Sequence, residues 1–309
     1  MVKIEFNQKL FDKHIKSLNN KLIKKIDNLD CSKFSPYTIC CLNEIKTNSK
    51  IIIGANNKEL KKIIKYFEAN YFCSIGYDEN QDSELYTVLS KIFTDENSGL
   101  YKNFTNYKKQ HDAYDLVKGL NLKTCPYCNR NYTFVVDSDN GKLRPELDHF
   151  YPKSIYPFLA VSFYNLIPSC PICNHTKGNK VKKDLDNPYD IETNNYRFTY
   201  TPNNIDFTIV EKEKYNFDSF DIELKGNESN IKLFKLIELY KQHKDIVQEL
   251  LIKKAYYPES YIEELEKSFR FSKDEIYRYL LGNYNKEEDL HKRPLSKLIR
   301  DISEELGLT

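Results

Sequence analysis

The sequence contains no apolar run that could cross a bilayer. Runs such as residues 51–53 are far shorter than a membrane span needs. The first ten residues, MVKIEFNQKL, lack the apolar stretch of a secretory leader. The expected location is therefore the cytoplasm, with no membrane attachment. There is no G-x-x-x-x-G-K-[ST] segment, so the chain is not itself expected to be a P-loop ATPase. Internal repeats and long low-complexity linkers are also missing. So is any large net charge: 47 basic and 45 acidic residues leave a formal +2, which does not by itself announce a nucleic-acid binder. A disordered chain is excluded as well. Of the 309 residues 40% are hydrophobic, enough for one large domain or two smaller ones with real cores.

What charge there is lies unevenly. Residues 1–70 hold 14 lysines against 7 acidic residues, and residues 121–185 hold 9 basic against 5 acidic. Local basic patches on a near-neutral chain fit a phosphate-binding face. For residues 1–70 a solvated lysine-rich helix is the preferred reading, since lysine is common all along the chain. Cysteine is sparse outside two pairs: Cys31, Cys40, Cys41 and Cys73 show no ligand spacing and are expected to be small buried apolar residues.

The fold class expected is α+β: mainly helical flanks around a small central core with a few additional strands. Residues 1–120 read as a helical region. Ile4, Leu10, Ile15, Leu18, Leu22, Ile26 and Leu29 recur near helical spacing, and amphipathic patterns follow over 58–71, 82–93 (with Asp82 as N-cap) and 107–120. The character changes near Lys123. YTFVVDSDNGKLRPEL is two extended runs about Asp139-Asn140-Gly141, a hairpin signal because Asn-Gly readily adopts positive φ. Residues 121–190 form the expected core region. Residues 191–226, with YRFTYT, DFTIV and FDIEL, form a β-rich extension, and 227–309 a second helical region whose longest run covers 230–257.

The most specific signal is a pair of knuckles, Cys125-Pro-Tyr-Cys128 and Cys170-Pro-Ile-Cys173. Each Cys-x-x-Cys lets one tight turn present two thiolates to one metal, and two such pairs complete a closed tetrahedral zinc site. The 41 residues between them exceed the spacing of a short zinc ribbon, so the metal would pin both ends of a sizeable insert. A redox Cys-x-x-Cys or plainly buried cysteines are the alternatives. Within the insert, ELDHFYPKS places Asp148 and His149 side by side at the end of a strand, where successive side chains point to opposite faces. One could bind a metal while the other works as a base. Asn165 follows in FYNLIPSC. Asn174 and His175 come directly after the second knuckle, in NHTKGNKVKK, where a helix is expected to start. Singly, an Asp-His pair is usually a hydrogen-bonded or surface pair, and a loop Asn a turn residue. The joint order of knuckle, Asp-His, Asn-Leu and knuckle-Asn-x-x-Lys is what carries information.

That order resembles the HNH endonucleases of the zinc-supported ββα-metal type, through Cys125, Cys128, Asp148, His149, Pro152, Asn165, Leu166, Cys170, Cys173, Asn174 and Lys177. The longer words CPYCNRNYTF, SFYNLIPSCPICNHTKGNK and RPLSKLIRDI are most similar to nuclease subunits of Septu-type and retron-linked anti-phage systems. The resemblance covers about a fifth of the chain. It implies a central zinc-stabilised ββα-metal core in which Cys125, Cys128, Cys170 and Cys173 hold structural Zn2+. Asp148 and Asn174 would hold a catalytic Mg2+ or similar divalent ion. His149 would be the general base and Asn165 a brace for its loop, giving a 5′ phosphate and a 3′ hydroxyl. Many relatives have His directly after the last cysteine. Here Asn174 stands there and His175 one place later, leaving His175 as a supporting contact, a phosphate contact or nothing. Lys177, Lys180, Lys182 and Lys183 would meet backbone phosphates. Nucleic acid, DNA in preference to RNA, is the implied substrate, and an ATPase subunit the implied partner. Two rivals share much of this: a zinc-stabilised nucleic-acid-binding or protein-interaction module without catalysis, and a toxin-like nuclease with an immunity partner.

Overall fold

The structure, a computed structural model, describes residues 1–72, 83–106, 111–180, 184–203 and 219–308. The chain divides into two compact units, each gathered from segments distant in sequence. One consists of Glu5–Asn121 and Val135–Val181, the other of Met1–Ile4, Leu122–Phe134 and Lys182–Thr309. Both helices and strands are present, as the α+β expectation requires. Among the described residues no helix is long and apolar enough to cross a membrane.

The first unit begins with α1 (Gln8–Asp27), whose Asn7 cap accepts from the Leu10 amide. Leu10, His14, Leu18, Leu22 and Ile26 recur every fourth residue and form its buried stripe. Then come α2 (Pro36–Thr47), α3 (Ser49–Gly54), α4 (Asn57–Tyr71), α5 (Glu84–Phe93), α6 (Leu100–Thr105) and α7 (Ala113–Leu120). Asn56 and Glu59 close a reciprocal capping box on α4. The expected cap Asp82 lies outside the described residues; Ser83 caps α5 instead, accepting from the Tyr86 amide. Of the helix expected over 107–120, residues 107–110 also lie outside them, and α7 starts after Asp112, whose carboxylate accepts from the Asp115 amide.

In the same unit β1 (Val136–Ser138) and β2 (Gly141–Leu143) form the expected hairpin, with Ser138 opposite Gly141. The two-residue loop is therefore Asp139-Asn140, and the positive φ of 154° falls on Gly141 rather than on the asparagine. Strands β3 (Glu146–His149) and β4 (Leu166–Ser169) pair antiparallel, with Asp148 opposite Ile167 and His149 opposite Leu166. Helix α8 (Pro171–Lys177) follows at once. It starts inside the knuckle, not after it, because Pro171 has no amide to satisfy and its fixed φ suits a first helical position. Gly178, at φ 51°, ends it. Lys177 alone of the four lysines lies on this helix. Lys180 is beyond it, and Lys182 and Lys183 lie outside the described residues.

The second unit packs the antiparallel pair β5 (Arg197–Pro202) and β6 (Phe220–Lys225) with helices α9 (Glu228–Leu233), α10 (Leu236–Tyr240), α11 (Lys244–Tyr256), α12 (Glu259–Phe269), α13 (Lys273–Leu281) and α14 (Ser296–Leu306). The strand pattern read at 206–210 lies outside the described residues. The single long helix expected over 230–257 is broken at Lys235, which takes φ 49°. The break lets Phe234 and Leu236, on either side of it, both enter the core.

The cysteines without ligand spacing do not behave alike. Cys41 is buried as expected, but its neighbour Cys40 is exposed and Cys31 half-exposed. Adjacent helical positions cannot share a face, so Cys40 takes the outer side of α2, its sulfur 3.8 Å from the Tyr71 hydroxyl. Cys73 lies outside the described residues.

Candidate metal and catalytic site

The first knuckle is a tight turn closed by its own backbone. The Cys125 amide donates to Asn131 O at 2.9 Å, and the Asn129 amide to Cys125 O at 2.7 Å. Asn129 takes φ 49°, which Asn tolerates better than most residues. The Arg130 amide donates to Cys128 Sγ at 3.4 Å, the kind of contact that favours a thiolate. Tyr240 donates its hydroxyl to Cys128 O at 2.6 Å. Asn129 also ties this turn to the start of α14: its Oδ1 accepts from the Lys297 amide at 3.0 Å and its carbonyl from the Leu295 amide at 2.7 Å. The words CPYCNRNYTF and RPLSKLIRDI are thus in contact. At the second knuckle Cys170 precedes the first residue of α8, and its carbonyl accepts from the Asn174 amide at 3.0 Å.

All four knuckle cysteines are buried, none is in a disulfide, and their sulfurs lie within 4.8 Å of one another. Four zinc–sulfur bonds of about 2.3 Å in a tetrahedron set the sulfurs roughly 3.8 Å apart. Four buried thiols gathered this closely, with no oxidation joining them, fit a structural zinc ion.

Beside this cluster, β3 and α8 present facing side chains. Glu146 and Asp148 are two apart on the strand and share a face. Asn174 and Lys177 are three apart on the helix and share another. Asn174 Nδ2 donates to Glu146 Oε2 at 2.7 Å, and Lys177 Nζ donates to Asp148 Oδ1 at 3.0 Å and to His149 O at 2.6 Å. Asp148 and Asn174 therefore belong to one strand–helix contact. Lys177 departs from the expected phosphate contact, because its side chain is 0% exposed and its ammonium is spent on the strand. His175 is exposed, with Nε2 3.6 Å from Glu146 Oε1. Lys180 is exposed too, its ammonium donating to Thr176 O.

His149 projects the other way. Its Nε2 lies 2.9 Å from Ala160 O. A carbonyl only accepts, so Nε2 carries the proton and Nδ1 is the lone-pair nitrogen. Nδ1 has no hydrogen-bond partner among the described residues. Burial depresses the His149 pKa to about 3, the Ala160 carbonyl opposing and the Lys153 and Lys177 charges adding to the fall. The ring is accordingly neutral near pH 7. Tyr101 of α6 meets it edge-on, with ring centres 4.5 Å apart, and Lys153 sits 4.7 Å from the centre of the Tyr101 ring. Burial also pushes the Tyr101 phenol up to about 12; Arg144 pulls against this, and Asp148 and Glu146 reinforce it.

Asn165 is fully buried. Its Oδ1 accepts from the Tyr151 amide at 2.7 Å, and its Nδ2 donates to Tyr151 O at 3.1 Å and Leu159 O at 2.9 Å. It joins both ends of the loop that leaves His149 and returns to β4. Sequence reasoning passed over Glu146, Tyr101 and the pairing of Lys177 with Asp148. Strand alternation from Asp148 and the i, i+3 relation between Asn174 and Lys177 were signals for Glu146 and the lysine. Tyr101 had none, since its helix is remote in sequence.

A stretch of 66 residues is 42% identical to the Septu protein PtuB of Bacillus thuringiensis. That stretch is 21% of this chain and 23% of that protein, so the chain spans less than a quarter of the length of the relative it matches. No family model matches the chain, and no solved structure does.

Proposed function

We propose that this chain is a metal-dependent endonuclease of the HNH type that hydrolyses phosphodiester bonds, in DNA rather than RNA, and that it serves as effector nuclease of a Septu-like anti-phage defence system. The observation that carries the reading is the joint arrangement around β3. Asp148 faces the helix that bears Asn174, and on the opposite side His149 keeps its proton on Nε2 and offers Nδ1. The partial likeness to a Septu protein supports the biological setting and, with it, an ATPase subunit as partner.

Asp148 and the side-chain oxygen of Asn174 would hold the divalent ion. They are hard oxygen ligands suited to Mg2+, which when bound supplies Lewis-acid charge to the phosphate. Asn174 directs its Nδ2 at Glu146, which turns its oxygen away from that carboxylate and makes it the group available to a cation. His149 Nδ1 takes the proton of the attacking water while Nε2–H stays on Ala160 O, so the ring holds its orientation as it becomes charged. An anionic phosphodiester close by favours that charged form and lifts the depressed pKa towards the working range. Asn165 keeps the loop of His149 in register. A Zn2+ held by Cys125, Cys128, Cys170 and Cys173 would take no part in the chemistry.

A second reading has one observation in its favour. The Lys177–Asp148 pair satisfies the aspartate without any metal ion, as a zinc-stabilised binding module without catalysis would. Incubation of purified protein with supercoiled plasmid and Mg2+, beside a single-stranded RNA of matched length, decides between them. The proposal expects plasmid nicking that EDTA abolishes and His149→Ala removes at unchanged zinc content. Equal cutting by His149→Ala, or no cutting of either substrate with the ATPase partner present, overturns it.

A further inference from the structure

The loop that receives the His149 proton is fastened residue by residue. Leu159 O accepts from Asn165 Nδ2, Ala160 O from His149 Nε2 at 2.9 Å, and Val161 O from His14 Nε2 at 2.8 Å; the Ser162 hydroxyl donates to Ile52 O at 2.7 Å. Two consecutive carbonyls thus accept from two buried imidazoles, one on β3 and one on α1. His14 is 0% exposed, and the Phe104 and Phe163 rings meet it edge-on, each with its centre 5.4 Å away. Because Val161 O only accepts, the proton of His14 must sit on Nε2 and its Nδ1 must accept. His111 Nε2, 3.0 Å from that Nδ1, is therefore the donor. The chain His111 → His14 → Val161 O has one consistent set of proton positions.

A solely structural explanation accounts for this poorly. A buried site on α1 packed by two phenylalanines would be filled at less cost by Leu or Phe, without a polar group to satisfy. What His14 supplies that they do not is a directed donor to the carbonyl next to the one His149 uses. Ala160 closes a short turn in right-handed helical geometry, so displacing the Val161 carbonyl rotates the adjoining Ala160–Val161 peptide and with it the acceptor of His149.

We infer that His14, itself set by His111, is a positioning residue for the His149 base: by holding Val161 O it fixes Ala160 O and so keeps the His149 proton on Nε2. The inference rests on the nuclease reading for its consequence in catalysis, but its structural half does not.

The test reads the two halves separately. In uniformly 15N-labelled protein at fixed neutral pH, the His149 ring nitrogens report its tautomer, and His149→Ala assigns them among the six histidines. His14→Phe keeps ring volume and removes the donor. It is expected to move His149 towards a mixed tautomer and, at unchanged zinc content, to lower single-turnover cleavage about ten- to a hundred-fold. His14→Gln, whose Nε2 restores a donor, is expected to return both readouts to near wild type. His111→Leu leaves the Val161 bond but removes the partner that holds the other side of the His14 ring at Nδ1, and so gives a smaller shift in the same direction. It is also the variant to use if His14→Phe does not fold. His149 signals unchanged in whichever of the two variants folds would overturn the inference, whatever cleavage does. A shifted tautomer in a protein that cuts nothing would leave the positioning intact and sink the nuclease reading instead.

Discussion

Lys177 buries its ammonium 3.0 Å from Asp148 Oδ1, with both side chains almost entirely out of solvent. The lysine also donates to the backbone carbonyl of His149, so one cation from α8 holds the two residues assigned to the ion and to the base. A buried ion pair is poor evidence of net stability, since desolvation consumes most of the Coulombic gain, but breaking it from one side is costly. Lys177→Met is expected to destabilise by about 3–5 kcal/mol because it strands a buried carboxylate. The double variant Asp148→Asn/Lys177→Met should lose clearly less than the sum of the singles. Urea unfolding of the four proteins of the cycle measures this. Additive losses below about 1 kcal/mol each, the range of surface pairs, would mean the pair is not formed in a buried setting.

Much of this site was legible in the sequence because it is local. The knuckles, the Asp148-His149 strand end and the Asn174-x-x-Lys177 turn each lie within a few residues, and short-range geometry fixes what they can do. The role of Lys177 was not legible. A lysine in a basic stretch reads as a solvated charge, and only the pairing of α8 against β3 turns it inward. The helical flank was readable as helices from the fourfold recurrence of Leu10, Leu18, Leu22 and Ile26, and His14 sits in that stripe. Nothing in the periodicity distinguishes a buried histidine with two directed partners from one tolerated at a core edge. The break at Lys235 escaped for a related reason: a left-handed lysine has no compositional mark, and the apolar run continues across it. The assembly of each unit from separated segments has no signal in composition at all.

The four buried thiols lead to a prediction about metal content. Purified protein should contain about one zinc per chain, and Cys125→Ser or Cys173→Ser should lose it together with several kcal/mol of stability, because in closed structural sites metal binding and folding are one equilibrium. Elemental analysis and melting with and without a strong chelator check this. Protein that is folded, free of zinc and unaffected by chelator would remove the knuckle assignment.

Asn165 supports a sharper mutational prediction than the residues proposed for catalysis do, because its effect needs no metal. Asn165→Ala deletes three hydrogen bonds and leaves the buried Tyr151 amide without its acceptor. The expected cost is about 2–4 kcal/mol, with cleavage falling at least ten-fold in the molecules that remain folded. Asn165→Asp keeps the acceptor for the Tyr151 amide but loses both donors and buries a carboxylate, so it should be no better than Ala. Thermal melts and single-turnover cleavage on the same samples separate the two effects. An Asp variant close to wild type would show that the two donated bonds contribute little.

Burial holds the pKa of His14 at about 3, with the neighbouring His111 and Lys21 charges adding to the fall against the Val161 hydrogen bond. Burial likewise holds His111 at about 4, where Lys13 and Lys21 lower it further and Asp115 and Asp112 oppose. Both values lie below the unfolded reference of about 6.5, so between the two limits the unfolded chain binds more protons than the folded one. Stability must then rise with pH across this window. It is fully present above about pH 6.5 and declines as pH falls towards 4, with a slope approaching 1.4 kcal/mol per pH unit for each imidazole kept neutral. His149, depressed to about 3, shares the window, so the diagnostic is a difference between proteins. Denaturant midpoints at pH 7.0, 6.0, 5.0 and 4.5 should fall more steeply for the wild type than for His111→Leu, which has one fewer imidazole to protonate on unfolding. Parallel curves for the two proteins would mean that His111 is not held neutral in the fold, and that the proton positions assigned to the His111–His14 pair are wrong.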